Sequence, residues 1–165
     1  MDKIKKLKQE IKRLKQELAK YRDLSYHDEL TGAFNRRKFN IDIETAIYNL
    51  KRYKNRFCII MFDIDNLKQI NDTEGHSKGD EILINTVKII NKNLRETDKL
   101  YRVGGDEFII LLNNTKYQTA RKVAKRLQSL LKNNNINISY GVAKGDMKDI
   151  MLEKADKRLY KDKKK

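Results

Sequence analysis

The sequence predicts an α/β domain, in which helices cover a mixed β-sheet, preceded by a separate N-terminal helix. Residues 1–24 carry an uninterrupted apolar stripe at helical spacing. After them, short β-rich apolar runs alternate with longer amphipathic segments in an order that suits a sheet of parallel and antiparallel strands. The 165 residues, 39% of them hydrophobic, are enough for one domain with a core.

Large apolar residues recur in steps of three and four across residues 1–24, with Lys, Arg, Glu and Gln between them. They are Ile4, Leu7, Ile11, Leu14, Leu18 and Tyr21. This is the spacing of the a and d positions of a coiled coil. A lone helix with so narrow a stripe is marginal, so we expect a parallel homodimer. Packing of the stripe on the chain's own domain is the alternative.

The first elements of the domain follow a loop. Residues 25–35 are rich in turn and capping residues, and a helix is expected over 36–53. The short apolar run 57–63 predicts a buried strand. Residues 71–79 are polar and hold two glycines, which predicts a second loop, and an apolar stripe then predicts a helix over 80–94.

A hairpin is expected next, because two apolar runs at 100–103 and 108–112 flank a glycine-containing turn. A helix over 119–132, a strand over 136–143 and a helix over 149–161 complete the chain. This is not the order of a Rossmann domain, and no Gly-x-Gly-x-x-Gly follows the first strand.

The net charge of +15 is concentrated at the two ends of the chain. Residues 1–24 carry nine Lys or Arg against four Asp or Glu, and residues 153–165 carry seven against three. This favours a solvated basic surface over a dedicated nucleic-acid face, so no specific nucleic-acid partner is expected. The single cysteine, Cys58, excludes an internal disulfide, and no apolar run is long enough for a membrane span. We expect a cytoplasmic protein.

Acidic residues follow an apolar strand and occupy the hairpin turn. Asp63 and Asp65 end the first strand, and Asp106 and Glu107 lie in the turn. If these strands are neighbours, the two acidic pairs converge at one edge of the sheet. Such a cluster suits a hard divalent cation, Mg²⁺ or Mn²⁺, whereas the scarcity of His and Cys argues against zinc.

Gly104 and Gly105 precede the acids of the turn. Glycines permit positive φ and let a ligand approach the backbone closely, which would suit a phosphate bound by a metal and by bare amide groups. From spacing alone, a plain hairpin turn with solvated acids remains the alternative.

The hairpin segment Arg-Val-Gly-Gly-Asp-Glu-Phe at 102–108 resembles the signature of the GGDEF family of diguanylate cyclases. Four further segments also resemble motifs of this family, in the family's order. They are 28–37, 62–72 with Gly75-His76 and Gly79-Asp80, 139–143, and 155–160. The resemblance covers about residues 25–165, so we divide the chain into a dimerisation helix (1–24) and a GGDEF domain (25–165).

The resemblance implies a palm-like, ferredoxin-type sheet and the condensation of two GTP molecules into cyclic di-GMP. Two subunits meet face to face, and each GTP 3′-hydroxyl attacks the α-phosphate of the other, releasing two pyrophosphates. The implied cofactor is Mg²⁺ or Mn²⁺. The metal ligands implied are Asp63, the backbone carbonyl of Ile64, Asp106 and Glu107. Asp106 is also the implied base, whereas Asp65 is expected to be structural.

The resemblance also implies substrate contacts. Asn71 and Asp80 would read the guanine edge, and His76 would lie near the nucleotide. Lys68 and Lys163 would contact the phosphates, beside Gly104 and Gly105. Each also has a plainer interpretation: the lysines as solvated side chains, His76 as a loop cap and Asn71 as a turn residue.

A regulatory feature is implied by the spacing of Arg95 and Asp98, five residues before Gly104. The pair resembles the product-inhibition site of the family, where an arginine grips cyclic di-GMP.

Three alternatives to an active cyclase stay open at this point. One is a non-catalytic module that binds GTP or cyclic di-GMP. The second is an enzyme that makes a mixed guanine–adenine dinucleotide, against which the carboxylate of Asp80 argues, because guanine offers two donors to it. The third is a basic coiled-coil protein that binds nucleic acid, which would leave the clustered carboxylates unexplained.

Overall fold

The computed structural model describes residues 2–146 and 148–163. Six helices and five strands occur in these residues. In chain order they are α1 (Asp2–Leu24), β1 (Phe34–Asn35), α2 (Arg36–Tyr53), β2 (Phe57–Ile64), α3 (Leu67–Glu74), α4 (His76–Asn91), β3 (Lys99–Arg102), β4 (Glu107–Asn113), α5 (Tyr117–Lys132), β5 (Ile138–Lys144) and α6 (Lys148–Lys163). The predicted α/β class, with an N-terminal helix before a mixed sheet, is confirmed. No helix in the described part of the chain is long and apolar enough to cross a membrane.

The sheet has the strand order β1-β3-β4-β2-β5. The two-residue β1 runs parallel to β3, and the other pairs are antiparallel. The predicted hairpin is formed by β3 and β4, and β2 lies directly beside β4. The end of the first long strand and the hairpin turn therefore meet at one edge of the sheet, as the sequence predicted.

Two apolar layers enclose the sheet because successive side chains of a strand point to opposite faces. On one face, β2 contributes Cys58, Ile60 and Phe62, which pack with apolar residues of α4 and α5. On the other face, Phe57 and Ile59 pack with residues of α2 and α6. The odd-numbered residues of β2 and β4 thus face α2 and α6. Asp63 and Glu107, at the ends of these strands, are odd-numbered and lie on this same face.

The predicted loop over residues 71–79 was wrong. Helix α3 covers Asn71, and α4 begins at His76, so the only residue outside a helix in this segment is Gly75. Gly75 has φ 86°, a positive value that favours glycine, and its extended backbone interrupts the helical path. Gly79 instead lies inside α4 and is buried. The polar residues that suggested a loop lie on the exposed sides of α3 and α4, two helices that are separated by one residue.

A partly buried charge network ties α2 to the sheet. The carboxylate of Asp42 accepts hydrogen bonds from Lys38 Nζ at 2.9 Å, Lys99 Nζ at 2.9 Å and Tyr101 Oη at 2.8 Å. Burial acts to raise the pKa of Asp42, but these three hydrogen bonds outweigh it and lower the pKa. The ring of Tyr101 is completely buried, so this network satisfies a hydroxyl that water cannot reach.

The predicted N-terminal helix is present, and its apolar stripe is exposed. Its six a and d residues are between 51% and 70% exposed. They are Ile4, Leu7, Ile11, Leu14, Leu18 and Tyr21. The described residues of the chain's own domain therefore do not bury the stripe, and α1 does not pack on that domain in this structure.

Candidate active site

Asp63 and Glu107 are directly opposite each other on neighbouring antiparallel strands. The amide of Ile64 donates to the carbonyl of Asp106 at 3.2 Å, so the next pair along, Asp63 and Glu107, is a non-hydrogen-bonded pair. Side chains of such pairs lie closest, with Cα atoms about 4.5 Å apart. The structure therefore brings together the four residues predicted for a metal site, with Asp63 and Glu107 on the face that α2 and α6 cover.

The two carboxylates differ in exposure. Asp63 is only 8% exposed, whereas the side chain of Glu107 is 43% exposed. A largely buried carboxylate next to an accessible one can anchor a cation while leaving room for a ligand. Asp65 lies just beyond β2, where it accepts a hydrogen bond from Ser139 Oγ at 2.8 Å, and its amide donates to Asn137 O at 3.0 Å. These contacts join the ends of β2 and β5.

The two glycines of the turn serve different steric needs. A Cβ on Gly104 would lie 2.4 Å from Glu107 Oε2, so a side chain there would displace the carboxylate. A Cβ on Gly105 would meet no atom within 4 Å, which leaves the backbone open to an approaching ligand. Neither glycine has the positive φ that the sequence suggested, because the left-handed glycines of the described chain are Gly32 and Gly75.

A single arginine fixes the turn to the N-terminal loop. Arg102 donates to the carbonyl of Gly105 through Nε at 3.1 Å and Nη2 at 2.8 Å, and through Nη1 to Asp28 Oδ1 at 3.0 Å. The amide and hydroxyl of Thr31 donate to the same Asp28 oxygen at 2.9 and 2.6 Å. Burial acts to raise the pKa of Asp28, but the hydrogen bonds from Thr31 and Arg102 lower it overall. The N-terminal loop, through Asp28 and Thr31, thus helps to fix the position of the Gly104-Gly105 turn.

A cavity of about 540 Å³ opens beside Glu107, between α2 and α6. Its floor is apolar and includes Met61 and Ile109, and Arg36 lies at its rim. Arg36 Nε donates to the carbonyl of Val103 at 2.6 Å, and its Nη2 lies 4.0 Å from Glu107 Oε2. The resemblance did not assign a role to Arg36, because only the fold brings it beside Val103, 67 residues away in the sequence.

The donor set at this edge fits Mg²⁺ or Mn²⁺. Within the described residues, no group of three or more His, Cys, Asp or Glu side chains could hold a metal ion unaided. Protein Mg²⁺ sites commonly use one or two carboxylates and complete the coordination with substrate phosphates and water. Asp63 and Glu107 supply such a pair of oxygen ligands, so the edge suits a cation that arrives with a nucleotide.

The residues predicted to read guanine meet where α3 and α4 pack together. The side chain of Asn71, on α3, packs on Gly79 of α4 so closely that a Cβ there would lie 1.9 Å from Asn71 Oδ1. Asn71 Oδ1 is buried and has no hydrogen-bond partner among the described residues. Asp80 follows Gly79 and is exposed, as are Lys68 on α3 and His76 at the start of α4. The helix pair therefore holds a buried, unsatisfied acceptor close to an exposed carboxylate.

The Arg95–Asp98 segment borders a second cavity, of about 320 Å³. Asp98 Oδ1 is buried without a hydrogen-bond partner among the described residues, and burial raises the pKa of this carboxyl. Lys92 and Arg126 also line the cavity, and Arg126 Nη2 donates to Asn93 O at 2.8 Å. The sequence did not reveal Arg126, because its link to Arg95 depends on how α5 packs beside α4.

Lys163 is the last residue of α6, and its predicted contact with the phosphates falls on a side chain that the structure does not describe.

The sequence model described as "Diguanylate cyclase, GGDEF domain" matches residues 25–165. The chain belongs to the GGDEF family. It is 36% identical over 150 residues to a diguanylate cyclase of Vibrio cholerae, an alignment that covers 84% of this chain and 46% of that protein. It is also 40% identical over 123 residues to diguanylate cyclase A of Treponema denticola, covering 67% of this chain and 33% of the relative. The chain thus spans less than half the length of these curated relatives.

Solved GGDEF structures share the fold. The coiled coil and GGDEF domain of DgcB from Caulobacter crescentus, in complex with c-di-GMP, superposes with a TM-score of 0.85. That comparison covers 98% of this chain and 93% of DgcB at 22% identity, so it concerns the fold alone. The active GGEEF domain of a Vibrio cholerae diguanylate cyclase superposes with a TM-score of 0.73 at 35% identity, covering 79% of this chain and 90% of that domain.

Proposed function

We propose that this GGDEF chain is a diguanylate cyclase that condenses two GTP molecules into cyclic di-GMP and two pyrophosphates across a dimer. The observation that carries the proposal is Asn71 Oδ1, a buried acceptor without a protein partner, next to the exposed carboxylate of Asp80. A buried polar atom without a partner is costly, and a bound ligand would remove that cost. Guanine offers N–H donors to both groups, whereas adenine lacks the N1–H donor.

In this proposal the acidic edge holds the triphosphate. Asp63, the carbonyl of Ile64, Asp106 and Glu107 would hold Mg²⁺ or Mn²⁺, which supplies Lewis-acid polarisation and charge neutralisation when bound. Lys68, on the exposed side of α3, would contact the phosphates, and we assign the same role to Lys163. The open backbone at Gly105 and the absent side chain at Gly104 would leave room for the triphosphate. His76 would border the nucleotide.

The reaction requires one proton transfer and one displacement per bond formed. Asp106 would accept the proton of a GTP 3′-hydroxyl, and the resulting oxygen would attack the α-phosphorus of the partner's GTP. The bond from that phosphorus to the α–β bridging oxygen breaks, and pyrophosphate leaves with the electron pair. Two such events close the ring. Because one site holds one GTP, two subunits must face each other, and positioning supplies much of the catalysis.

We propose that α1 provides this dimer as a parallel coiled coil. Its exposed stripe has Ile or Leu at the a positions and Leu or Tyr at the d positions, a pattern that favours two parallel strands. Joining the two domains by a short helix would raise their local concentration for each other.

We also propose that the cavity at Arg95 and Asp98 binds cyclic di-GMP and inhibits the enzyme. The buried, partnerless Asp98 Oδ1 would accept from a guanine of the product. The guanidinium of Arg95 would bind its phosphate, because arginine pairs with phosphate through parallel hydrogen bonds.

The test is incubation of the purified chain with GTP, ATP or both in the presence of Mg²⁺, with products separated by mass. The Asp106→Asn, Glu107→Gln double variant is the inactive comparison, and Glu44→Gln, an exposed acid on α2, is the matched control. Cyclic di-GMP from the wild type and the control alone would support the cyclase. A folded dimer that binds GTP and makes no product would instead indicate a nucleotide-binding module, and a mixed dinucleotide would contradict the role given to Asp80.

A further inference from the structure

Arg36 occupies a fixed position at the acidic edge. It is the first residue of α2, and Nε donates to the carbonyl of Val103, which directly precedes the Gly-Gly turn. Its side chain is nevertheless 67% exposed, and Nη2 lies 4.0 Å from Glu107 Oε2. A distance of 4.0 Å is too long for a hydrogen bond. The stem of Arg36 is therefore anchored to the hairpin while the outer end of the guanidinium faces solvent beside Glu107.

The guanidinium has donors to spare. An arginine side chain carries five N–H donors, and the bond to Val103 uses one of them. It is the only hydrogen bond of this guanidinium to residues 2–146 and 148–163. The remaining donors lie on the two Nη groups, at the rim of the cavity that borders Glu107. An anion that reaches this rim would meet unused N–H donors of a guanidinium that its bond to Val103 already holds in position.

The distance between Arg36 and Glu107 indicates whether a phosphate bound beside Glu107 could also contact Arg36. If Glu107 held Mg²⁺, a phosphate oxygen bound to the same ion would lie about 3 Å from the Glu107 oxygen, because Mg–O distances in proteins are about 2.1 Å. Arg36 Nη2 is 4.0 Å from that carboxylate. A phosphate oxygen at that distance from Glu107 Oε2, on the α2 side, would lie within hydrogen-bond reach of Arg36 Nη2 while Nε keeps its bond to Val103.

We propose that Arg36 is a further substrate-binding residue, whose guanidinium contacts the triphosphate of GTP at the Asp63–Glu107 edge. The inference rests on the proposed function for the identity of the nucleotide. Arginine's planar fork matches the oxygens of a phosphate, and its charge would stabilise the negative charge that builds up as pyrophosphate leaves. The hydrogen bond to Val103 holds the guanidinium in position, so binding would cost little further side-chain conformational entropy.

Arg37 provides a matched control. It has the same side chain, it is the next residue of α2, and it is exposed. Because neighbouring helix residues point in different directions, Arg37 does not share the contacts of Arg36 with Val103 and Glu107. Both variants remove one positive charge from the same helical turn, so a general electrostatic effect on nucleotide binding would appear in both.

The experiment is a calorimetric titration of the full chain with α,β-methylene GTP and Mg²⁺, and separately with guanosine by competition. We expect Arg36→Gln to weaken binding of the triphosphate about ten- to hundredfold, as loss of a charged hydrogen bond does, and to leave guanosine binding unchanged. Arg36→Lys should recover part of the loss, and Arg37→Gln should bind like the wild type. Equal weakening of both ligands would identify Arg36 as a purely structural residue and overturn the proposal, as would wild-type affinity in Arg36→Gln.

The binding measurement separates this inference from the cyclase proposal. A wild type that binds the triphosphate and makes no cyclic di-GMP would refute the cyclase and leave the role of Arg36 measurable. A wild type that makes product, together with an Arg36→Gln variant that binds normally, would refute only the role of Arg36. A wild type that binds no guanine nucleotide would refute both.

Discussion

Asp28 and Arg102, 74 positions apart in the sequence, form an ion pair with 3.0 Å between Arg102 Nη1 and Asp28 Oδ1. The same guanidinium binds the carbonyl of Gly105 through two of its other nitrogens. Asp28 itself is fixed by two hydrogen bonds from Thr31. The N-terminal loop therefore determines where the signature turn lies, and with it the acids proposed to bind metal.

The contribution of Asp28 to stability should depend on pH. Its pKa is lower in the folded chain than the ordinary value of about 3.9, so the folded state favours the ionised form. A lowered pKa contributes stability that is present above the ordinary pKa and is lost as the pH falls through the folded pKa. We expect Asp28→Asn to be less stable than the wild type by a constant amount above about pH 5, with the difference shrinking below about pH 4.

Urea denaturation of the two proteins at a series of pH values measures this difference. Glu29→Gln, the exposed neighbour, is the control and should show no such change. A gap between wild type and Asp28→Asn that stays constant or widens as the solution becomes acidic would contradict the ion pair as the source of stability.

Helix α1 should determine the oligomeric state. Leu14 is a d residue, 51% exposed on the isolated chain, and Asp at this position would place a charge in the proposed seam. We expect Leu14→Asp to sediment as a monomer at concentrations where the wild type is a dimer. Its rate of cyclic di-GMP formation per mole should then fall at least tenfold at low concentration and recover as concentration rises, because two sites must meet.

Gln16→Asp introduces the same residue two positions away, on the outer side of the predicted coiled coil, and should remain dimeric. Both variants lower helix propensity equally, so a monomer in both would point to a loss of the helix rather than of the seam. A Leu14→Asp protein that stays dimeric would place the dimer interface elsewhere on the domain.

Much of the acidic edge could be predicted because it depends on local rules. Asp63 ends an apolar strand, and Glu107 follows a Gly-Gly turn in a hairpin, so pairing of the two strands was enough to bring them together. The boundaries of α2 were predicted correctly for a similar reason: Asn35 caps the helix by accepting from Lys38 N at 3.1 Å.

The features that the sequence did not reveal depend on contacts between distant segments. Gly75 and Gly79 look alike in the sequence, but one has positive φ between two helices and the other lies inside α4 against Asn71. Which glycine breaks a helix is decided by packing. In the same way, Arg36 and Arg126 are two of many basic residues until the fold places them beside Glu107 and Asp98.

Arg126 should contribute to the proposed inhibition site although it is absent from the short motif. It lines the cavity of Arg95 and Asp98 from helix α5. We expect Arg126→Gln to weaken binding of cyclic di-GMP about tenfold, the loss typical of one charged hydrogen bond, and to leave the initial rate of GTP turnover unchanged. Calorimetric titration with cyclic di-GMP and initial-rate kinetics measure the two effects.

Arg121→Gln alters another exposed arginine of the same helix and is the control. If Arg126→Gln bound cyclic di-GMP as tightly as the wild type, the cavity would not be the product site. Equal losses in initial rate and product affinity would instead show that the substitution disturbs the whole domain.

Gly79→Ala should separate stability from substrate recognition. Inside a helix, Ala is favoured over Gly by about 1 kcal/mol, and the atom that the new methyl group would meet is the end of the Asn71 side chain, which can rotate away. The fold should therefore survive with a free energy of unfolding near or above that of the wild type. Asn71 Oδ1, however, would leave the position from which we propose that it binds guanine.

We therefore expect Gly79→Ala to raise KM for GTP at least tenfold, since a buried guanine donor would lose its acceptor. Urea denaturation and initial-rate kinetics test the two halves of the prediction, with Ser77→Ala, an exposed residue of the same helix, as the control. A variant that unfolds more easily would show that Gly79 is needed for the packing of α3 on α4. A stable variant with unchanged KM would show that Asn71 does not bind the base, because its side chain must have moved; its orphaned oxygen would then be only a packing defect.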